Sequence, residues 1–280
     1  MTKINLSLII ASYNGYRNIQ NLLDSILSNK FIPKEIIIVC FNNQYNKYFY
    51  YSKKYIKKLN IKIYKSNIKN QIVQRQIGLN KCKMDYILQL DDDIIIGKNT
   101  LQLIFNELKK NHYKTILSAN LKTSDGNPAD FRWRKNYNKY TLFRFMIFLL
   151  NNFKKVKPYS IISSGKPIPG LNIQTTSYEW LNSSLCFHRS ALKDYEFFSS
   201  KGKAYYEDVY TSHVFFKKGY NLKKIINADI YHPKTQEMNL SIFFKSIINQ
   251  YKILIKFKKN IFLFILDIFF FTLIFIFKKK

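Results

Sequence analysis

The stretch YILQLDDDIII, Tyr86 to Ile96, sets three carboxylates side by side at the end of an apolar run. Acids are scarce in this chain, with 17 Asp and Glu against 46 Lys and Arg. Asp85–Leu90 has the length and composition of a buried strand, so the triplet marks a strand's carboxyl end. Upstream lie three more runs of the same kind: INLSLIIA (Ile4–Ala11), EIIIVC (Glu35–Cys40, entered through Pro33) and IKIYK (Ile61–Lys65). Helical spacing fills the gaps. Ile19, Leu22, Leu23, Ile26 and Leu27 follow one helix face, with Asn18 as the expected cap. A Tyr- and Lys-rich helix is predicted over Tyr45–Leu59, and Ile72, Val73, Gln76, Ile77 and Leu79 predict one ending near Asn80. Leu101, Ile104, Phe105 and Leu108 predict another, capped by Asn99 or Thr100. Repeated strand–helix units with unalternating apolar strands predict an α/β fold: a mostly parallel sheet with helices on both faces. Ligands gather beyond the carboxyl ends of such strands. The triplet sits at one such end, and SYNG (Ser12–Gly15) at another.

The 280 residues, 47% hydrophobic, suffice for one large domain or two small ones. The formal net charge of +29 is compatible with an anionic partner: a membrane surface, a nucleic acid or a phosphorylated substrate. A plain compositional bias toward Lys, Asn, Ile, Tyr and Phe accounts for it equally well. Cys40, Cys82 and Cys186 are far apart and show no metal or disulfide spacing, which fits a reducing cytoplasm. Leu6–Ala11 is too short for a signal-peptide core, so export is not expected. From about 123 to 180 periodicity is weak. SDGNP (Ser124–Pro128) is a turn, and SSGKPIPG (Ser163–Gly170) is a loop without phosphate-loop spacing. The cationic and aromatic stretch Phe131–Phe145 could stack bases or grip phosphates, but reads more simply as a solvated segment.

The C-terminal part, 237–280, is expected to be a membrane-associating tail after a catalytic domain over 1–236. Leu240, Phe243, Phe244, Ile247, Ile248, Tyr251, Leu254 and Ile255 form one helix face, opposite Lys245, Asn249, Lys252, Lys256 and Lys259. Ile261–Phe277 is apolar except for Asp267 and Thr272. As a helix it is ~25 Å long, short of a hydrocarbon core of about 30 Å. Asp267 would cost roughly 2.5–3.5 kcal/mol facing lipid. A minimal span with partners for Asp267, or an interfacial helix, is expected over a buried one, since no later element exists to cover it.

The acids carry the chemistry. Asp91 and Asp93, two apart in extended chain, point to one side and can give oxygen ligands to one Mg2+ or Mn2+. Three crowded carboxylates repel unless a cation is present. A second pair, Glu207 and Asp208, opens a predicted helix, where compensation of the helix dipole is the plainer explanation. NADIYHP (Asn227–Pro233) ends a short strand at His232.

In order along the chain, these pieces resemble family 2 glycosyltransferases. LSLIIASYNGYRNIQNLLDSIL is similar to the family's opening strand, Pro-Thr-Tyr-Asn loop and helix. RQIGLNKCKMDYILQLDDD resembles its Arg-Asn-x-Gly segment and Asp-X-Asp strand. WLNSSLCFHRSAL (Trp180–Leu192) and EDVYTSHVFFKKGY resemble the loop, strand and Glu-Asp…Gly-Tyr helix that follow. The resemblance covers about residues 4 to 235. It implies a GT-A fold, a nucleotide-sugar donor, a divalent metal (Mg2+ or Mn2+) and a single inverting displacement. By resemblance, Asp91 and Asp93 hold the metal with His232, Asp208 is the base and Glu207 its neighbour. Ser12, Tyr13 and Asn14 touch the nucleotide base and Arg75 lies near base or phosphates. Asp92 and Trp180 join the substrate-binding set. The family's Asp after the second strand is replaced by Asn42 and Asn43, of which Asn42 takes its place in that set. Asn182 and Ser183 stand where glycines are usual. The expected acceptor is a glycan or a lipid-linked hydroxyl in bacterial cell-surface polysaccharide or lipopolysaccharide synthesis. Work at the cytoplasmic face of the cell membrane, against its anionic surface and without nucleic acid, is the expectation. The competing readings are a nucleotidyltransferase, disfavoured by a single Gly and Arg in ASYNGYRN, and a catalytically degenerate basic membrane-binding protein.

Overall fold

The apolar runs before the triplet are strands. In the computed structural model they are β1 (Thr2–Ser12), β2 (Phe31–Phe41), β3 (Ile61–Ser66) and β4 (Tyr86–Leu90), joined by α1 (Ile19–Leu27), α2 (Tyr45–Ser52) and α3 (Gln71–Lys81). The structure describes residues 1–12, 14–129, 139–170, 178–182, 184–200, 203–232 and 240–277. They belong to two compact units: Met1–Ala129 with Leu181–Thr235, and Asp130–Trp180 with Gln236–Lys280. Residues 130–180 thus group with the C-terminal segment, a division that no composition shift announced.

The first unit continues with β5 (Ile95–Ile96), α4 (Thr100–Lys110) and β6 (Thr115–Thr123). After Leu181 come β7 (Leu185–His188), α6 (Glu207–Lys217) and β8 (Asn221–His232), while α5 (Thr141–Leu150) belongs to the second unit. The strand order is β3-β2-β1-β4-β7-β6-β8-β5. The β3-β2-β1-β4 block is parallel throughout and so is β6 with β8; β7 and the short β5 run antiparallel. Leu6, Leu8 and Ile10 are fully buried on one face of β1, with Leu22, Leu23 and Ile26 of α1 in the same core. On the other face α3 comes very close: a Cβ at Gly78 would lie 2.5 Å from Ile9 Cγ2, so only glycine allows this spacing. All three cysteines are buried and unpaired.

Local details depart from the sequence reading. Asn18 makes no side-chain cap bond; the Gly15 carbonyl accepts the N–H groups of Asn18 and Ile19 instead. Neither Asn99 nor Thr100 caps α4. Asn99 takes a left-handed φ of 61° without a cap bond, and the Thr100 hydroxyl donates to the Asp229 carbonyl at 2.8 Å. Asn70 does cap α3, accepting from Ile72 N at 2.8 Å and Val73 N at 3.3 Å. The helix predicted to reach Leu59 stops at Ser52. Lys53–Tyr55 tightens into a 3-10 turn that buries Tyr55, whose hydroxyl donates to the Gln20 carbonyl.

The second unit contains α5, α7 (Leu240–Lys256) and α8 (Ile261–Phe277). Met146, Ile147, Leu150, Val156, Ile162 and Ile168 form its core, with Leu266, Phe270 and Phe271 of α8 packed against them. The expectation that nothing covers the apolar tail is therefore corrected, because the covering residues precede it. Among the described residues no helix is long and apolar enough to cross a membrane. Asp267 finds its partners inside the unit, with Lys166 Nζ at 3.0 Å and the Gln250 amide at 2.5 Å.

Candidate active site

Strand register decides which acids meet which partners. β1 and β4 pair Ile10 with Leu90, so two residues further on Ser12 and Asp92 come side by side. The Ser12 hydroxyl donates to Asp92 Oδ2 and also bonds the Tyr48 hydroxyl. The Gly15 N–H donates to the same Asp92 oxygen at 2.9 Å. A Cβ at Gly15 would lie 2.2 Å from the Asp92 carboxyl carbon, which explains the glycine of SYNG. Asp92 therefore fastens the loop after β1 to the end of β4. Burial, with Asp93 and Asp91 beside it, pushes its pKa up to about 6.

Asp91 turns to α3. Its Oδ1 accepts from Arg75 Nη2 at 2.9 Å and Gln71 Nε2 at 2.8 Å. The other arm of Arg75 donates to Glu207 Oε2, at the first turn of α6. One guanidinium thus joins the two acidic motifs, which lie more than a hundred residues apart in sequence. Burial works against the Arg75 charge, but Glu207 and Asp91 outweigh it and hold its pKa above the usual value. Glu207 is 1% exposed, and burial raises its pKa to about 7 despite Arg75. Asp208, the next residue, is only half-buried and accepts the Val209 N–H at 2.9 Å.

Asp93 meets His232. The antiparallel β5–β8 ladder pairs Ile95 with Tyr231, which brings the residues just outside it together. His232 Nε2 lies 3.2 Å from Asp93 Oδ2. Burial favours the neutral Asp93 carboxyl, but the His232 hydrogen bond and charge lower its pKa; the same hydrogen bond raises that of His232. Asp93 Oδ1 is buried with no hydrogen-bond partner among the described residues.

These residues surround an open cleft of about 210 Å³, lined by Asn14, Gly15, Asn18, Gln71, Asp91, Asp92, Asp93 and Lys203. Lys203 acts on Asp93 as a nearby positive charge. Gln71 also accepts the Ala204 N–H at 3.0 Å, tying the segment before α6 to α3. The sequence reading missed Gln71 and Lys203. The only signals for them were a polar residue one past a capping Asn and a lysine four residues before Glu207.

Of the other expected site residues, Asn14 accepts from Gln44 Nε2, and Asn42 is exposed in the 3-10 turn after β2. Tyr13 lies outside the described residues, as does Ser183. Trp180 belongs to the second unit, where it is buried and its indole N–H donates to the Ser160 carbonyl at 3.3 Å.

The three proposed metal ligands are not equivalent. Among the described residues no three His, Cys, Asp or Glu side chains form a ready metal cluster. Asp91 is neutralised by Arg75. Asp93 and His232 fit a divalent cation better: a carboxylate with one unused buried oxygen beside an imidazole. Their proton-sharing contact is one that a cation can replace with release of that proton.

A family model described as Glycosyl transferase family 2 matches residues 7–165. A search of curated proteins returns no match. Among solved structures, S. aureus TarS 1-349 is similar at TM-score 0.56 and 17% identity, over 91% of this chain and 63% of that one. The mannosyltransferase PcManGT from Pyrobaculum calidifontis, in complex with GDP-Man and Mn2+, has TM-score 0.59 and 10% identity over 90% and 63%. GalNAc-T7 with UDP, GalNAc and Mn2+ has TM-score 0.56 and 12% identity over 84% and 44%. The chain thus spans less than two thirds of each of these solved chains, and the likeness establishes the shared GT-A fold.

Proposed function

Because the chain belongs to glycosyl transferase family 2, we propose that it moves a sugar from a nucleotide-sugar donor to a hydroxyl of a glycan or lipid-linked acceptor, with inversion and with help from a divalent cation. Surface polysaccharide synthesis is the setting this reading favours. The observation that carries it is the Arg75 bridge, which gathers Asp91 and Glu207 at one cleft. The structural neighbours hold UDP, UDP-GlcNAc or GDP-Man, which supports a nucleotide-sugar donor here.

The residues divide the work by exposure. Glu207 is 1% exposed and holds Arg75 through Oε2, so it positions and does not take protons from substrate. Asp208 is half-buried at the same helix start and serves as the base for the acceptor hydroxyl. Asp93 and His232 would hold the cation, and Lys203 adds positive charge to the cleft. When bound, that cation neutralises the departing diphosphate. Asp92 keeps the Ser12–Gly15 loop closed on the strand end, shaping the floor for the base.

Equilibrium binding of labelled UDP- and GDP-sugars across a Mn2+ titration tests the reading. Donor binding should rise with Mn2+ in the native protein. In Asp93→Ala and His232→Ala it should weaken by about 10–100-fold, as for lost metal partners. Donor binding indifferent to both changes would remove the cation from this site; absence of any sugar-nucleotide binding would remove the function.

A further inference from the structure

The unit formed by Asp130–Trp180 and Gln236–Lys280 is inverted along α7 and α8. Its interior holds a polar cluster: Asp267 with Lys166, Gln250 and Ser164. Asn249 and Gln250 of α7 turn inward, although Asn249 belongs to the polar stripe expected to face out. The outward positions are apolar. Phe244, Ile248 and Ile255 on α7, and Phe262, Ile265 and Phe269 on α8, are all more than half exposed, Phe262 to 79%. Their spacing of four, seven, three and four residues puts each set on one helix face. A water-facing helix shows the opposite pattern, and an exposed apolar area of this extent marks an interaction surface.

The charge around it names the occupant. Lys245, Lys252, Lys256 and Lys258 lie on α7 and the turn after it, while Lys259 donates to the Ile161 carbonyl at 2.6 Å, and Asp267 is the one acid in α7–α8. That acid is turned inward and neutralised by Lys166. A symmetric contact with a second copy would bring these lysine sets together and repel. An anionic lipid headgroup layer attracts them. Each helix has 17 residues, ~25 Å, short of a bilayer core of about 30 Å. The polar cluster ties both helices to residues 164–166, which suits a fixed hairpin lying in the interface.

We propose that the outward faces of α7 and α8 form a docking surface for an anionic bilayer, entering its headgroup boundary without crossing it. This stands independently of the sugar-transfer reading, and its test needs no donor. The full-length protein is sedimented with vesicles of phosphatidylcholine containing phosphatidylglycerol, and with vesicles of phosphatidylcholine alone. The native protein should pellet with the anionic vesicles and be released by salt. Phe262→Ser/Phe269→Ser should weaken this binding by about tenfold or more. Lys245→Gln/Lys256→Gln/Lys258→Gln should reduce it to the level on neutral vesicles. If the serine variant does not fold, Phe262→Trp supplies the readout: a blue-shifted emission quenched by brominated lipid, over the native Trp background. The proposal is overturned by native protein that ignores anionic vesicles, by a serine variant that binds like the native, or by a Phe262→Trp variant whose added emission brominated lipid leaves unquenched. So it is by a native dimer, seen in light scattering, that the serine substitutions dissociate while vesicles are left unbound.

Discussion

Acids in two parts of the first unit have opposite fates. Glu35 lies on β2 opposite Ser7 of β1, away from the cleft. It accepts from the Ser7 hydroxyl at 2.6 Å and the Lys83 N–H at 2.5 Å, with Lys62 Nζ at 3.4 Å. Burial alone would raise its pKa, but these donors lower it. At the cleft, Asp92 is half-buried and Glu207, at the start of α6, is buried, and their pKa values rise to about 6 and about 7. Desolvation is the largest cause at all three; at Asp92 and Glu207 it wins, with like charges adding to it, whereas at Glu35 the donors outweigh it. Glu35 has donors only, whereas the cleft gathers Asp91, Asp92, Asp93, Glu207 and Asp208 around one arginine, one histidine and one lysine. A satisfied buried acid anchors a fold. A group of under-compensated acids is what a cation and a reacting hydroxyl require.

The largest expected effect is on turnover. Asp208→Asn should cut the transfer rate by about 10²–10⁴-fold and leave donor binding intact; near-native turnover would end the assignment of the base. Next comes Arg75→Ala, which leaves Asp91 and Glu207 unpaired and should cost about 3–5 kcal/mol of stability in urea unfolding. Adding Glu207→Gln should restore part of that loss, since it removes one of the two stranded charges. A purely additive double variant would show that Arg75 does not bridge them.

At the anchoring acid the pattern should reverse. Glu35→Ala should cost about 1–3 kcal/mol by stranding the Ser7 and Lys83 donors, with sugar-nucleotide affinity unchanged. Its pH signature follows from the lowered pKa. Glu35 contributes stability above its unfolded value near 4.5, and that stability is lost as pH falls through the lower folded value. Glu35→Gln should therefore flatten the acid side of the stability profile. An effect of similar size belongs to Gly15→Ala. Its Cβ would press on the Asp92 carboxyl, with about 1–3 kcal/mol expected from such overpacking. A thermal midpoint equal to the native would show that Asp92 can swing away.

Much of the first unit was legible because buried parallel strands write themselves as unbroken apolar runs. INLSLIIA, EIIIVC, IKIYK and DYILQL all became strands within a few residues of their expected ends. The α7 and α8 helices were legible too, but not which of their residues turn inward. The apolar face expected to meet a membrane leaves Phe244 and Ile248 exposed, while its Leu254 is buried together with the polar Asn249 and Gln250. Likewise the solvated reading of Phe131–Phe145 takes in only the start of α5, which runs on to bury Met146, Ile147 and Leu150 against others of its unit. The caps failed at Asn18 and Asn99 for a related reason: backbone carbonyls and left-handed turns satisfied the helix starts without those side chains.

The order of apolar runs, the scarcity of acids and their clustering at strand ends were fixed by residue type alone, since burial and charge are properties each residue carries into any fold. Which acid meets which partner was not. Asp92 meets Ser12 through the register of β1 and β4, Asp93 meets His232 through the two-residue β5 ladder, and Asp91 meets Glu207 through Arg75. Those pairings depend on distances between chain segments far apart in sequence, and only the folded sheet sets them.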